Sequence, residues 1–504
     1  MTFVNAPSPE PRAACRAWRR ALVAGLTSAA LGGCVTMHDL APRQALPPSA
    51  GITLPAGIPT LPAGWPAAAW WHRYADPQLD ALVERALAHA PSLAAARARV
   101  EAADAQARLV DAGAGPKAGL SVDLDRESVS ANGFLGPYGK TVPALGTTGP
   151  WYTEGTLGLG AEFDVDLWGR DRARTHAALG AAQARAAEAA LAELLLSARI
   201  VDAYYDAMAQ SARLELLRRA RAIEHEAAAA HAARFAQGLE ARSPAELAHE
   251  RELSLDARIL AVDGRIGRLR EVLRALLGAS GAEEIRIEPR ALPSVAGELP
   301  DALGYELLAR RPDLQARRWM VQASLDQIDA ARAAFYPSLD LRSFVGFDAL
   351  HLNDLFRSSS RQFGLVPGLN LPVFDSGRLN ANLAASRAQS DALIADYDQA
   401  IVDAVRDVAQ GCIALDTLAR QAAVQGERLD AVRFAAAGAQ AHYRRGLTDR
   451  IAALEAELPV LGAREQALDL QAARIQAQVA LIVALGGGYD SRSGTAEQPP
   501  HEPS

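Results

Sequence analysis

The 504 residues predict an α+β membrane protein, in which very long helices carry four amphipathic strands that are too few to close a barrel alone. Three observations lead there. Half of the residues are apolar but only 6% are aromatic, the composition of Ala- and Leu-rich helices. Residues 169–235 and 379–443 each run without proline, and a helix of that length extends ~100 Å. Four segments alternate apolar and polar residues over about ten positions, the length and pattern of membrane-crossing strands.

In chain order, the first element is an address. Arg12, Arg16, Arg19 and Arg20 precede an uncharged stretch from Ala21 to Gly33, a basic region followed by a short apolar one. That stretch falls short of the ~20 residues a bilayer-spanning helix needs. It ends in Leu31-Gly32-Gly33-Cys34, which resembles the lipobox of bacterial lipoproteins. The resemblance implies cleavage after residue 33, with diacylglycerol on the Cys34 sulfur and an acyl chain on its new amine. Several acyl chains anchor stably where one does not. Val35 rather than Asp follows, which is compatible with the outer membrane. The formal charge of −7 becomes −10 once four Arg and Glu10 are removed with residues 1–33. Cys412 is then left without a partner for a disulfide. Residues 34–75 form a Pro-rich anchored segment, in which Leu54-Pro55-Ala56-Gly57 recurs at Leu61-Pro62-Ala63-Gly64. It is expected to run extended.

The remainder is a duplication. Residues 80–120 align with 301–341 without a gap, with 15 of 41 positions identical. A second block repeats at an offset of 208: Gly169-Arg170 with Gly377-Arg378, Gly238-Leu239 with Gly446-Leu447, and Leu277-Gly278 with Leu485-Gly486. The repeats are read as residues 76–285 and 286–488, with a disordered tail at 489–504. Each should comprise two helices, a strand, a loop, a strand, a very long helix, a turn and another long helix. Asp76-Pro77 and Pro91-Ser92 mark helix starts. Gly113 to Pro116, and later Pro337, mark helix ends. The first half carries 13 extra residues between 121 and 156, a Gly- and Pro-rich stretch read as a surface loop.

The strands follow from period-2 alternation. Leu120, Val122 and Leu124 form the first apolar row, and Leu157 to Leu167 the second. Leu339, Leu341, Val345 and Phe347 form the third, and Phe363 to Val373 the fourth. No helix-length run is apolar enough to cross a membrane, so a membrane span must be made of strands in a closed barrel. The smallest barrels have eight strands. Four per chain therefore require pooling, and a trimer supplies 12. The long helices reverse at Gly238 and Gly446, each placed as a helix-terminating glycine.

Several function classes are excluded. An acidic chain offers no broad basic surface for nucleic acid. His225 and His231 stand six apart rather than at the i, i+4 spacing of a zinc helix. No Gly-rich loop has phosphate-binding spacing. Asp123 with Asp125, and Asp164 with Asp166, read as the polar face of strands rather than as catalytic pairs. Trp70-Trp71 is either an interfacial or a packing pair.

Five segments together resemble the outer membrane factors, the TolC/OprM-type efflux channels, and among them the NodT lipoprotein branch. They are Asp76-Pro77-Gln78-Leu79, Asp164 to Arg170, Arg311-Pro312-Asp313-Leu314, Ala331 to Pro337, and Leu371 to Arg378. The resemblance covers residues 65–488. It implies a homotrimer with a 12-stranded transmembrane β-barrel, four strands per chain, on a long α-helical periplasmic barrel, in outer-membrane lipid. It further implies a periplasmic adaptor (membrane fusion) protein and an inner-membrane pump of the RND type as partners, no cofactor and no enzymatic activity. The expected function is export of drugs or other toxic small molecules through a tripartite system. The alternatives are a protein-secretion channel on the same fold and a non-conducting, lipid-anchored periplasmic coiled-coil scaffold. By the same resemblance, the periplasmic aperture lies near Tyr443, with Glu455 and Glu457 as its acidic residues. Gly238, Leu239, Gly446 and Leu447 form the adaptor-contact tip. The sequence departs from the family at Ala452 and Pro244, where an Asp is frequent. Any carboxylate ring therefore rests on Glu455 and Glu457.

Overall fold

The computed structural model describes residues 37, 57–59, 64–128, 130, 151–294 and 304–490. The address segment with Cys34, most of the Pro-rich stretch, the middle of the first interstrand loop and the tail beyond residue 490 lie outside the described residues. Two compact units are present. Among the described residues, one comprises 37, 103–128, 130, 151–182 and 320–394, the other 57–59, 64–102, 183–294, 304–319 and 395–490.

The element order repeats. α1 (Pro77–His89), α2 (Pro91–Ala114), β1 (Lys117–Ser128), β2 (Trp151–Val165), α3 (Arg170–Ala236) and α4 (Arg242–Leu276) are followed by their counterparts. These are α5 (Gly304–Arg310), α6 (Pro312–Ala333), β3 (Ser338–Ala349), β4 (Arg361–Asn370), α7 (Arg378–Arg444), α8 (Arg450–Glu455) and α9 (Leu458–Ala484). α3 and α7 are both 67 residues long. The last long helix was expected to be continuous, but it breaks after Glu455. Pro459 stands in the first turn of α9, where its missing N–H costs no internal hydrogen bond.

In the first unit the four strands form one antiparallel sheet in chain order. Its register puts Leu120, Leu159, Val345 and Phe363 in one row across all four strands. Directly opposed residues share a face, so this row defines an apolar face. The opposite face holds Asp123, Thr156 and Asp348 in one row, and Asp125 and Glu154 in the next. The alternation predicts strands to Leu167 and Val373, but they end at Val165 and Asn370. Asp166 is not on a strand face. Its carboxylate accepts the backbone N–H of Arg172 at 3.0 Å and so serves the start of α3. Pro372 offers no ladder donor, and Asp375 accepts from Leu379 N at 2.8 Å at the start of α7. Trp168 donates to the Pro337 carbonyl at 2.8 Å and stacks on Tyr336 at 4.8 Å. Ile328, Ala331, Phe335, Leu379 and Leu383 form the unit's buried helical cluster.

The second unit has its core around Trp70, Trp71, Tyr74, Leu79, Val83, Tyr204, Tyr205 and Leu273. The tryptophan pair is therefore a packing pair, edge to face at 6.1 Å. Asp76 shows why the Asp-Pro-Gln-Leu segment matters. One of its oxygens caps α1 through Gln78 N at 3.1 Å, and the other accepts from the Tyr204 hydroxyl at 2.7 Å. Arg290 completes the cluster at 3.3 Å. Cys412 is a buried free thiol. No described helix is long and apolar enough to cross a membrane.

Candidate functional site

Two features can serve a channel: the helical turns and the two-faced sheet. At the first turn, Leu239 N bonds to Arg234 O at 2.9 Å and Gly238 N to Phe235 O at 2.9 Å. At the second, Leu447 N bonds to His442 O at 2.9 Å and Gly446 N to Tyr443 O at 2.9 Å. Both are Schellman endings, which place the glycine in the left-handed region; φ is +70° at Gly238 and +68° at Gly446. The leucines that follow are 68% and 69% exposed. Two apolar side chains thus stand in solvent at equivalent turns, an arrangement suited to contact with another protein. Tyr443 is half-exposed, and its carbonyl is an acceptor within the turn.

Ion pairs tie the two hairpins together below these turns. Arg234 on α3 reaches Asp449 at 2.9 Å, and Arg450 pairs with Glu226. Asp449 also caps α8, accepting from Ala452 N at 2.9 Å. This backbone bond and the Arg234 guanidinium outweigh partial burial and hold its carboxyl below the usual carboxylate range. Arg251 on α4 bridges Glu224, whose side chain is buried, and Glu455, at 3.0 Å each. Glu455 is therefore paired within the chain, sharing one guanidinium with Glu224, while Glu457 is exposed at the start of α9. Asp449, Arg234 and Arg251 do not stand out in the sequence as site residues. The one local signal was Thr448-Asp449 just before a helix, a cap pattern. His225 and His231 pair with Glu252 and Glu240 at 2.8 and 2.9 Å. Among the described residues no cluster of metal-ligating side chains occurs.

In the sheet, the apolar face carries the exposed residues Leu120, Val122, Leu159, Val345, Phe363, Leu365 and Leu369. The polar face carries Asp123, Asp125, Glu127, Glu154, Glu162, Asp164, Asp340 and Asp348, against Lys117 and Arg342. Lys117 lies 3.8 Å from Glu162 and Arg342 3.1 Å from Asp340, so the remaining acids give that face a negative field. An apolar band opposite a charged, hydrated face is the division between lipid and lumen in a membrane barrel.

Residues 82–279 and 303–487 match the family described as outer membrane efflux protein. The chain is 47% identical over 469 residues to the multidrug resistance outer membrane protein MdtP of Escherichia coli K12, covering 93% of this chain and 96% of that protein. It is 40% identical over 467 residues to the multidrug resistance outer membrane protein MdtQ of Escherichia coli O157:H7, covering 91% and 96%. The crystal structure of the outer membrane protein VceC from Vibrio cholerae superposes with a TM-score of 0.73 at 30% identity, covering 84% of this chain and all of that one. The fold is the one expected: a long helical periplasmic barrel with a transmembrane β-barrel, to which each chain of a trimer gives four strands. The chain belongs to the outer membrane efflux protein family, as a channel of the outer membrane through which efflux passes.

Proposed function

We propose that the protein is the exit duct of a tripartite system, passing small toxic compounds, drugs among them, from a periplasmic adaptor and an RND-type inner-membrane pump to the exterior, without chemistry of its own. The observation that carries this reading is the sheet, with its apolar and acidic faces and two unpaired edges. The names of MdtP and MdtQ support drugs as cargo. An acidic lumen favours cations over anions. Cys34 carries the lipid, and residues 76–285 and 286–488 are the two structural repeats. Gly238, Leu239, Gly446 and Leu447 present the turns to the adaptor. Tyr443, Glu455 and Glu457 line the periplasmic aperture, held closed by the ion pairs that join α3 and α4 to α8.

Planar-bilayer recording of the purified full-length trimer tests this. Cation-selective conductance is expected. A trimer that never conducts, even with the hairpin ion pairs removed, would leave only the scaffold. Deleting the gene should raise drug susceptibility; unchanged susceptibility together with retention of a normally secreted protein would favour the secretion channel. Palmitate labelling should disappear in Cys34→Ser, and persistence would refute the anchor.

A further inference from the structure

Arg126 on β1 and Arg361 on β4 lie on the apolar face, opposite Thr153 and Phe347. Both stand near the strand ends remote from the helices, since β1 closes at Ser128 and β4 opens at Arg361. β1 and β4 are also the two edges of the sheet. Arg126 lies 5.8 Å from the centre of the Trp151 ring. Phe347, beside Arg361, meets Phe356 edge to face at 5.8 Å. Trp151 and Phe356 are exposed, as aromatic residues at a membrane–water boundary are. Neither guanidinium has an ion pair or hydrogen bond among the described residues, whereas neighbouring Arg357 pairs with Asp354 at 2.9 Å. Asp125 and Glu127 alternate onto the opposite, lumenal face and are directed away from both.

A cation on the lipid face is tolerated near the boundary, where it reaches headgroups. A guanidinium there matches a phosphate, which it can bind through two parallel N–H donors. In the trimer, the β4 edge of one chain meets the β1 edge of the next, so each junction gathers an Arg361 and an Arg126 at the outer rim. We propose that each junction binds a phosphate of an anionic lipid in the outer leaflet between these two guanidiniums, with Trp151 and Phe356 against its apolar part. This site rests on the trimeric channel reading.

The full-length trimer in detergent is titrated with a diphosphorylated glycolipid, its dephosphorylated form and inorganic phosphate, and bound lipid is counted by native mass spectrometry. Conductance of the same preparation is recorded. The phosphorylated lipid should bind about tenfold more tightly than the dephosphorylated one, saturating at one per junction. Arg126→Gln with Arg361→Gln should abolish that preference, and the paired Lys variant should keep part of it because its charge remains. Equal binding of the two lipids, or a preference that survives in the Gln pair, overturns the site. Displacement of the lipid by inorganic phosphate at equal concentration overturns its assignment to a lipid. Conducting trimers without the preference remove this site alone; a preparation without trimers or conductance removes the channel reading as well.

Discussion

Replacing Arg234 and Arg450 by glutamine tests whether the tip is held shut from within each chain. Arg234 joins α3 to Asp449 at the cap of α8, and Arg450 joins α8 back to Glu226. The side chains are 40–60% exposed, so each pair contributes about 0.5 kcal/mol rather than the several of a buried pair. Two pairs in each of three copies total about 3 kcal/mol. At about 1.4 kcal/mol per tenfold, their loss raises the open-to-closed ratio by roughly two orders of magnitude. Asp449 keeps its bond to Ala452 N, so the helix start survives. The assay is single-channel recording at 0.1 and 1 M salt. The Debye length falls from about 10 to 3 Å between them. The wild type should therefore open more at high salt, and the variant should be open at both. Open probabilities within about threefold at low salt would refute the reasoning.

Three further outcomes follow from other parts of the structure. Tyr204→Phe removes the hydroxyl that donates to Asp76 at 2.7 Å in the core and should cost about 1–3 kcal/mol in urea unfolding; a change under about 0.5 would show the bond to be idle. Burial, with Asp206 adding to it, pushes the Asp202 carboxyl from 3.8 up to about 6. A raised folded value means that the neutral acid suits the fold, so its contribution is full below pH 3.8 and lost as pH climbs through about 6. Asp202→Asn should match the wild type at pH 4 and exceed it by roughly 2–3 kcal/mol at pH 8; an unchanged pH slope would count against this. Leu159→Arg places a charge on the lipid face and should cost about 2–4 kcal/mol per chain in barrel assembly. Thr156→Arg on the lumenal face should assemble normally and lower cation selectivity, and equal assembly of the two variants would contradict the face assignment.

The sheet was legible because alternation is local: Leu120, Leu159, Val345 and Phe363 declare their face from their own neighbours, and the register only aligns them. The glycine endings were legible for the same reason, since a left-handed residue must follow the last helical turn. Strand ends were not, because Leu167, Leu371 and Val373 keep the period past the point where Asp166 and Asp375 turn the chain into helices. Partners across the bundle were also hidden. Arg234 and Asp449 are 215 residues apart, and a polar helix face offers many arginines with equal claim to one carboxylate.

That hidden pairing changes how the aperture is understood. Read alone, Glu455 is a carboxylate available to a ring. In the folded chain it shares Arg251 with the buried Glu224. Arg251 lies on α4 and Glu455 on α8, so any movement that parts the two hairpins separates them. Glu224 remains the better partner for Arg251, because an unpaired buried carboxylate costs more than an unpaired exposed one. Under the proposed aperture, opening the tip releases Glu455 in each copy, so that gating and charge selection become one event. The selectivity of the open, ion-pair-deficient channel at 0.1 M salt should exceed that of wild-type openings at 1 M salt, where the Debye length of about 3 Å screens the carboxylate field. Adding Glu455→Gln to the open variant should lower its cation preference without closing it. A preference unchanged by that addition would mean that Glu455 stays out of the pore, leaving the acidic lumen of the barrel as the sole source of selectivity.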